Sequence, residues 1–442
     1  MNRKRKKAPP DPVIVDIESL SHEGRGITRV DGKIFFVDGA LPGETVNARY
    51  NSQRSSFDEG VAQDVIKSSM YRVEPECDYF GVCGGCALQH VHPEYQLKHK
   101  QHVLMEQLSH IGNVEPDEIL APITTVPWGY RRKARLGVKY VYKKAKVLVG
   151  FREKGKSYIA DIDDCKILHP AIGDRIADLK ALVERLSIKD KIPQIELAVG
   201  DNRTVIVIRH LAEFNQADRE LLLDFSHRYE IDIYLQAGNP DSIQALKTDD
   251  DDLLLYQLTG FDIDIEFGPL DFTQINFGIN ELMIEHVIGL MQPGIEDTVL
   301  DLFCGLGNFT LPIATLAGYV IGVEGSASLV ARAKQNAVRN RSENVDFICR
   351  DLYTAEINTR ITNRHVNKLL LDPPRSGARE ILEQMDLCEV VRIVYVSCNP
   401  ATLARDAGIL QTQHGFKLKK AGVIDMFPHT THVESIALFE RD

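Results

Sequence analysis

Hydrophobic residues form short alternating runs near the start of the chain and longer, helix-spaced runs beyond residue 278. Between residues 12 and 68, four runs rich in β-branched and aromatic residues are each bounded by Gly, Pro or Asp. They cover residues 13–17, 33–37, 44–48 and 60–65. Such strands in so short a stretch predict a small β-barrel of the oligonucleotide-binding type, with an SH3-like barrel that binds no ligand as the alternative.

The rest of the pattern divides into a mixed region and a regular α/β region. Residues 127–267 alternate strands with one helix near 172–186, which is typical of an α+β domain, and residues 94–111 have helical periodicity. From residue 278 strands and helices alternate, which predicts a parallel, doubly wound sheet. We therefore expect a basic disordered tail over 1–11, a barrel over 12–68, a central domain over 69–267 and an α/β domain over 268–442. Residues 94–126 could pack on that last domain.

Charge is distributed unevenly along the 442 residues. The chain carries 52 basic and 63 acidic side chains, a net charge of −11, which excludes a uniformly basic nucleic-acid-binding protein. Residues 131–156, however, contain eleven Lys or Arg and one acid. Aromatic residues are interleaved with these cations, so the stretch predicts an RNA-binding surface, with a solvated hairpin as the alternative. No apolar run is long enough for a transmembrane helix, which makes a cytoplasmic protein the default.

A glycine-containing turn follows the predicted strand 298–302. Gly305 and Gly307 permit close approach of a ligand to the backbone, and Glu324 lies at the end of the next strand, where it could accept hydrogen bonds from ribose hydroxyls. The pattern lacks the third glycine of dinucleotide-binding loops, which favours S-adenosylmethionine. A βα turn without a ligand is the alternative.

Three further side chains are predicted at the same sheet edge or near it. Asp372 follows a buried strand in an Asp-Pro-Pro sequence, Cys398 follows the next strand, and Glu434 precedes the last one. The C5 atom of uracil is a weak nucleophile until a thiolate adds at C6, and a base must then remove the C5 proton. One cysteine, one carboxylate and one methyl donor would satisfy this chemistry, although a lone cysteine is more often buried and inert.

The motifs around these residues resemble those of the RNA uracil-C5 methyltransferases, over residues 274–434. The resemblance implies a Rossmann-like class I methyltransferase domain, in which Cys398 is the nucleophile that forms a covalent adduct with C6 and Glu434 is the base. It also implies that S-adenosylmethionine contacts six residues: Gln274, Phe303, Asn308, Glu324, Asp351 and Asp372. The target uridine must be single-stranded or flipped out of its stack.

A cysteine-rich loop contains Cys77, Cys83 and Cys86 in the pattern C-x5-C-x2-C, with Cys165 far downstream. The spacing alone allows zinc or an iron–sulfur cluster. The loop is similar to that of the ribosomal members of the family, which implies a [4Fe-4S] cluster with Cys165 as fourth ligand. We expect Cys304, Cys349 and Cys388 to be ordinary packed residues.

Residues 21–27 resemble the TRAM barrel, and a chain with both barrel and cluster is similar to members that methylate one uridine in 23S ribosomal RNA. The resemblance places Arg135 near the target base, and we expect RNA contacts from Arg131, Arg132, Lys133 and Arg135. A monomer without an obligate protein partner is expected. A dual-site ribosomal or a transfer-RNA enzyme, a cytosine-C5 methyltransferase and a non-catalytic assembly factor are the alternatives.

Overall fold

The computed structural model describes residues 11–247, 253–354 and 364–441, so the predicted tail lies outside the described residues except for Asp11. The chain divides into two compact units. The amino-terminal unit contains the residues up to Val103 together with His429–Thr431. The carboxy-terminal unit contains Leu104–Pro428 and His432–Asp442. Within the described ranges, every helix is too short or too polar to cross a membrane.

A small β-sheet opens the amino-terminal unit. Its strands are β1 (Val13–Asp16), β2 (Ser19–Leu20), β3 (Gly26–Val30), β4 (Lys33–Asp38), β5 (Thr45–Gln53) and β6 (Phe57–Lys67). They pair in the order β1-β5-β6-β4-β3-β2, and β4 and β6 are parallel. Alternate residues of these strands point into a core where the rings of Phe35 and Tyr50 stack at 4.5 Å. This alternation is the one from which the sheet was predicted.

The segment after β6 is anchored to the sheet through Glu44. The buried carboxylate of Glu44 accepts hydrogen bonds from the guanidinium of Arg72 at 2.5 and 2.7 Å. It also accepts from the backbone N–H groups of Leu41 and Ser69. The cysteine-rich loop and helix α1 (Pro93–Gln107) follow. The last residues of α1 and the π-helical turn Leu108–Gly112 belong to the carboxy-terminal unit.

The first part of the carboxy-terminal unit is an α+β arrangement, as expected. It contains the strands β7 (Glu118–Ile119), β8 (Lys133–Val141), β9 (Lys146–Gly150), β10 (Gln194–Val199), β11 (Thr204–Arg209), β12 (Ile231–Gln236) and β13 (Ile243–Ala245). The helices are α2 (Pro170–Gly173), α3 (Ile176–Arg185) and α4 (Gln216–Tyr229). Except for β7, these strands form one sheet in the order β13-β12-β11-β10-β8-β9. Helix α4 was not predicted, although Asn215 and Asp218 form a capping box at its start.

The second part contains a hairpin and a large sheet. The hairpin is β14 (Leu254–Leu258) and β15 (Ile263–Phe267). The sheet contains β16 (Thr298–Leu302), β17 (Tyr319–Glu324), β18 (Val345–Cys349), β19 (Lys368–Leu371), β20 (Arg392–Ser397), β21 (Lys417–Ile424), β22 (Glu434–Glu440) and the short β7. The helices are α5 (Phe277–Met291), α6 (Thr310–Ala314), α7 (Ala327–Arg339), α8 (Arg379–Gln384) and α9 (Pro400–His414).

The large sheet has the order β18-β17-β16-β19-β20-β22-β21-β7. Strands β16 to β20 all run parallel to one another. Strand β22 is antiparallel to both β20 and β21. The predicted parallel, doubly wound arrangement holds for β16 to β20, whereas the last strand is antiparallel, because it joins β21, which was not predicted, in a hairpin. The carboxyl ends of β16, β17, β19 and β20 meet at one edge, where open α/β sheets bind their ligands.

Candidate active site

The loop after β16 is held in shape mainly by its backbone. The N–H groups of Phe303 and Cys304 both donate to the carbonyl of Val323, at 2.9 and 3.1 Å. Phe303, Gly305 and Gly307 all have positive φ, at 68°, 54° and 89°. A Cβ atom built at Gly305 would have no heavy atom within 4 Å. The turn therefore presents an open cradle at the sheet edge, of the kind that accommodates part of a nucleotide-like ligand.

Two of the predicted cofactor contacts stabilise this loop. Glu324, at the end of β17, accepts from the N–H of Gly305 at 3.3 Å and from that of Ser326 at 2.9 Å. Asn308 exchanges two hydrogen bonds of 2.8 Å with the side chain of Asn280 and accepts another from Tyr256. Because these bonds use both amide atoms of Asn308, its side chain supports the loop from within, a role that the motif did not indicate.

Buried carboxyl groups lie beneath the cradle. Asp301 is fully buried; its Oδ2 accepts from the Thr310 hydroxyl at 2.6 Å, and its Oδ1 has no hydrogen-bond partner among the described residues. Burial raises the pKa of Asp301 to about 7, and burial also raises that of Asp372 to about 7. An orphaned carboxylate oxygen beside two further acids favours a cationic ligand. Asp301 was not among the predicted residues, although an acid inside an apolar strand was a visible signal.

The other predicted cofactor residues lie on neighbouring segments. The ring of Phe303 lies 5.8 Å from that of Tyr353, and Asp351 accepts from the backbone N–H of Tyr353 at 2.9 Å. Asp351 is exposed, two residues beyond β18. Gln274 is half-buried in the segment that leads into α5. Their aromatic rings and carboxylates, together with the open glycine turn, are groups whose chemistry fits S-adenosylmethionine.

Cys398 lies between the end of β20 and the start of α9. The side chain of Asn399 caps the helix by accepting from the N–H of Ala401 at 3.2 Å. The helix dipole at this position favours a thiolate. Burial, and then the negative charges of Glu434 and Asp372, act in the opposite direction and raise the pKa of Cys398 to about 11. The thiol of the ligand-free site is therefore protonated at neutral pH.

The register of β20 and β22 brings Glu434 next to Cys398. Ser397 pairs with Ser435, and the hydroxyl of Ser435 donates to the carbonyl of Ser397 at 3.1 Å. Glu434 is 6% exposed, and burial, together with the charge of Asp372, raises its pKa well above the usual value. A carboxyl group with a raised pKa is a stronger base once it is ionised. The antiparallel pairing of β20 with β22 thus places a buried carboxyl group beside the candidate nucleophile.

Arg375 and His432 were not predicted to take part. The positive charge of Arg375 lowers the pKa of both Cys398 and Glu434, against the larger effect of burial. Its guanidinium lies 3.2 Å from Nδ1 of His432, and its carbonyl accepts from the side chain of Asn399. The available signal was its position directly after Asp-Pro-Pro at a strand end.

The predicted RNA-binding residues lie close to the segment that carries Gln274. The N–H of Arg132 donates to the carbonyl of Ile275 at 2.9 Å, and Arg131 forms a β-bridge with Asn276. Arg132 is paired with Asp201 and its guanidinium lies 4.4 Å from the ring centre of Phe277.

Among the other residues of the predicted RNA-binding strip, some are exposed and others are buried. Arg135 is exposed and pairs with Glu196 at 3.1 Å. The ammonium of Lys133 is buried without a hydrogen-bond partner among the described residues, and burial lowers its pKa to about 8. Tyr130, one of the interleaved aromatics, is 5% exposed and donates to the carbonyl of Pro428. Lys133 and Tyr130 therefore do not present a charge or a ring to solvent as the strip of cations implied.

The cysteine-rich loop belongs to the amino-terminal unit. Cys77, Cys83 and Cys86 are half-buried, and the N–H of Gly85 lies 3.4 Å from the sulfur of Cys83. Burial raises the pKa of Cys83, and the nearby charge of Cys77 adds to this. Cys165 belongs to the other unit. Across the described residues, no group of three or more His, Cys, Asp or Glu is arranged as a metal site.

The remaining cysteines differ from one another. Cys304 is 3% exposed, as expected for a packed residue, whereas Cys349 and Cys388 are exposed. The expectation that all three would be packed was wrong for the last two, because each lies where the chain returns to solvent, Cys349 at the end of β18 and Cys388 in the loop before β20.

A doubly wound sheet with an open glycine turn after its first strand and acids at the ends of the next ones defines the class of S-adenosylmethionine-dependent methyltransferases. The model of the tRNA (uracil-5-)-methyltransferase family matches residues 94–442, and that of the TRAM domain matches residues 13–49. The chain belongs to the tRNA (uracil-5-)-methyltransferase family. The predicted class of enzyme, an S-adenosylmethionine-dependent uracil-C5 methyltransferase with a TRAM domain, is confirmed.

Similar proteins of full length are known. The chain is 50% identical to the 23S rRNA (uracil(1939)-C(5))-methyltransferase RlmD of Hahella chejuensis, with 100% of both chains covered. It is 50% identical to the RlmD of Nitrosococcus oceani, over 99% of this chain and 98% of the relative. The crystal structure of Pyrococcus abyssi tRNA (uracil-54, C5)-methyltransferase in complex with S-adenosyl-L-homocysteine has a TM-score of 0.73 and 22% identity, covering 97% of this chain and 100% of that chain. That likeness concerns the fold.

Proposed function

We propose that the protein methylates C5 of one specific uridine in 23S ribosomal RNA and so acts in the cytoplasm. Family membership supports the reaction, and the identity of 50% over the whole length to relatives named as 23S rRNA enzymes supports the substrate. The observation that carries the proposal is the pairing of Ser397 with Ser435, which brings Cys398 and Glu434 to the same sheet edge.

Cys398 acts as the nucleophile. Its sulfur forms a bond to C6 of the uracil, and the electrons displaced from the C5–C6 double bond make C5 nucleophilic. S-adenosylmethionine, when bound, would supply the electrophilic methyl group, to which C5 forms a bond as the methyl–sulfur bond breaks and S-adenosyl-L-homocysteine leaves. Glu434 then takes the proton from C5, the double bond re-forms, and the thiolate leaves.

The charges of the site fit a cationic methyl donor. The thiol of Cys398 and the carboxyl groups of Asp372 and Glu434 interact electrostatically, and each has a raised pKa. A cation bound against these groups would lower their pKa values and so favour the thiolate and the carboxylate that the reaction needs.

The proposed donor site contains Gln274, Phe303, Asn308, Glu324, Asp351 and Asp372. The open space at Gly305 and the orphaned oxygen of Asp301 support it. The proposed RNA contacts are Arg131, Arg132 and Arg135, whereas the predicted contact from Lys133 is not proposed, because its ammonium is buried. Arg135 is the most accessible of them, since its side chain is 66% exposed.

The test is covalent trapping. Purified protein and the methyl donor are incubated with 23S rRNA fragments in which uridine is replaced by 5-fluorouridine. Glu434 cannot remove fluorine as a proton, so we expect a stable protein–RNA adduct that is absent from the Cys398→Ala variant. With ordinary RNA, nucleoside analysis should give 5-methyluridine. Formation of 5-methylcytidine, or methylation of transfer RNA transcripts but not of 23S fragments, would contradict the proposal.

We further propose that Cys77, Cys83, Cys86 and Cys165 hold a [4Fe-4S] cluster. Three thiols in one loop and an N–H directed at the sulfur of Cys83 fit iron–sulfur ligation, in which thiolates accept backbone hydrogen bonds. Anaerobically purified protein should contain equal amounts of iron and sulfide, and Cys83→Ser should lose both. Zinc in place of iron would contradict this assignment. We propose a monomer without an obligate protein partner, which its mass in solution tests.

A further inference from the structure

The residues His429–Thr431 belong to the amino-terminal unit, although the residues on both sides of them belong to the other. Glu434 begins β22 three residues after this segment. The position of the proposed base therefore depends on how the chain enters β22, and the segment that determines this is fixed by residues from the beginning of the chain.

The side chain of Gln96 contacts this segment at two atoms of His429. It is 3% exposed on helix α1. Its Oε1 accepts from the N–H of His429 at 3.0 Å, and its Nε2 lies 3.4 Å from Nδ1 of the same residue. Nε2 also donates to the carbonyls of Leu88 and Val91, at 3.0 and 2.8 Å. One buried amide thus joins His429 to the segment that follows the cysteine-rich loop.

The backbone of His429 needs this support. Its φ is +64°, in the left-handed region that residues with a side chain adopt at a cost. Its carbonyl accepts from the N–H groups of Ala87 and Leu88, both at 2.9 Å. On the other side, the hydroxyl of Tyr130 donates to the carbonyl of Pro428 at 3.1 Å. A strained conformation that many hydrogen bonds hold in place is typical of functional segments.

We propose that Gln96 is a positioning residue for the methylation reaction: it holds His429 in its left-handed conformation and thereby places Glu434 for removal of the C5 proton. The inference rests on the proposed function. It assigns a positioning role to a buried glutamine that is not among the residues proposed to contact RNA or the methyl donor.

The step affected is the last one. After methyl transfer, C5 carries both the methyl group and a hydrogen, and C6 is bonded to the sulfur of Cys398. Transfer of the hydrogen to Glu434 as a proton leaves its electron pair to form the C5–C6 double bond, and the C6–S bond breaks with its electrons on sulfur. A displaced Glu434 slows this step alone, so the covalent intermediate accumulates on ordinary, unfluorinated RNA.

The test compares Gln96→Leu with Gln101→Leu. Gln101 lies on the same helix, and both polar atoms of its side chain are buried without a hydrogen-bond partner among the described residues, which makes it a matched control. We expect kcat of Gln96→Leu to fall about tenfold to a hundredfold, the scale of a misplaced catalytic group, with KM nearly unchanged. Ordinary RNA should give a denaturant-resistant adduct, as with Glu434→Gln. Gln101→Leu should behave as wild type.

A second measurement separates positioning from folding. Gln96→Leu should still form the adduct with fluorinated RNA as the wild type does, because binding of RNA and attack by Cys398 precede the affected step. Equal turnover in Gln96→Leu and Gln101→Leu would overturn the inference. So would a loss of adduct formation with fluorinated RNA, because the defect would then precede proton removal. A wild-type protein that makes no 5-methyluridine would instead overturn the proposed function.

Discussion

The loop after β16 and the loop after β20 lie at the same edge of one sheet, and each contains a cysteine. In the first, Cys304 is packed so closely against β17 that a Cβ at Gly322 would lie 2.8 Å from its sulfur. In the second, Cys398 is half-buried, with charged neighbours from two other strands. In the first loop the shape of the backbone forms the proposed site for the methyl donor. In the second loop the protonation state of the side chains determines whether the cysteine can react. Position at a strand end alone does not make a cysteine a nucleophile.

Replacing each cysteine by alanine should give the largest difference between the two loops, in activity for one and in stability for the other. Cys398→Ala should lower methyl incorporation into RNA at least about a thousandfold, because no other group can form the bond to C6. Cys304→Ala should retain turnover and lose about 1 kcal/mol of unfolding free energy, since it removes one buried atom from a packed site. Methyl incorporation and urea unfolding measure the two effects. A large loss of activity in Cys304→Ala at unchanged stability would show that Cys304 is not merely a packed residue and would contradict the distinction between the two cysteines.

Two glycine substitutions test the role of backbone shape. In Gly305→Ala the new methyl group points into the open cradle, so affinity for S-adenosyl-L-homocysteine should fall about tenfold. In Gly307→Ala the Cβ would lie 3.1 Å from Phe347 and 3.3 Å from Leu311, so stability should fall by about 1 to 2 kcal/mol. Titration calorimetry and urea unfolding give the comparison. Unchanged affinity in Gly305→Ala would show that the ligand lies elsewhere.

The pH dependence of alkylation tests the role of protonation. Because the pKa of Cys398 is raised to about 11, its thiolate fraction is small at neutral pH and grows about tenfold per pH unit below that value. The rate of its reaction with iodoacetamide, followed by peptide mass spectrometry, should rise accordingly. Arg375→Gln removes a charge that lowers this pKa, so the rate at a fixed neutral pH should fall roughly two- to fivefold. The exposed Arg379→Gln is the control. An equal fall in both variants would contradict the electrostatic interpretation.

Reversing the charge of exposed lysines far along the chain from both loops should affect RNA binding and not the chemistry of either loop. Lys143 and Lys144 are exposed in a turn between β8 and β9, whereas the neighbouring Lys146 is paired with Asp161 at 2.6 Å. Lys143→Glu with Lys144→Glu should weaken RNA binding and reduce its salt dependence, by about one unit of slope for each phosphate that the protein no longer neutralises. Fluorescence titration at several salt concentrations measures this. Reversal at Lys189, which lies in a short 3-10 helix with its ammonium over the ring of Tyr140 of β8, is the comparison.

Two of the buried strands were predicted to the residue. Residues 298–302 and 368–371 are mostly apolar with sharp ends, and they match β16 and β19. The predictions 320–323 and 392–396 fall within β17 and β20, which extend slightly further. Strand β21 could not be predicted in the same way, because its alternation of Lys and apolar residues also fits a solvated segment. Its absence from the prediction explains why the antiparallel pairing of the last strand was not expected.

Some residues of the site could be found from the sequence and others could not. Gly305 and Cys398 follow recognisable strands, and Glu434 lies at the start of one, so all three were visible in the sequence. The neighbourhood of Cys398 and Glu434 depends on an antiparallel register between segments far apart in the chain, which no local pattern encodes. The burial of the Lys133 ammonium and of Tyr130 depends on tertiary packing, so a count of cations and aromatics could not show it.

The hydrogen bonds between Gln96 and His429 also have a consequence for synthesis. The two residues are 333 positions apart, so the amino-terminal unit cannot complete its own hydrogen bonds until almost the whole described chain has left the ribosome. Interactions between such distant residues form late and slow folding. The nascent enzyme therefore remains unable to complete its reaction until translation has passed β21, and a truncated product would leave that unit with unsatisfied buried amides.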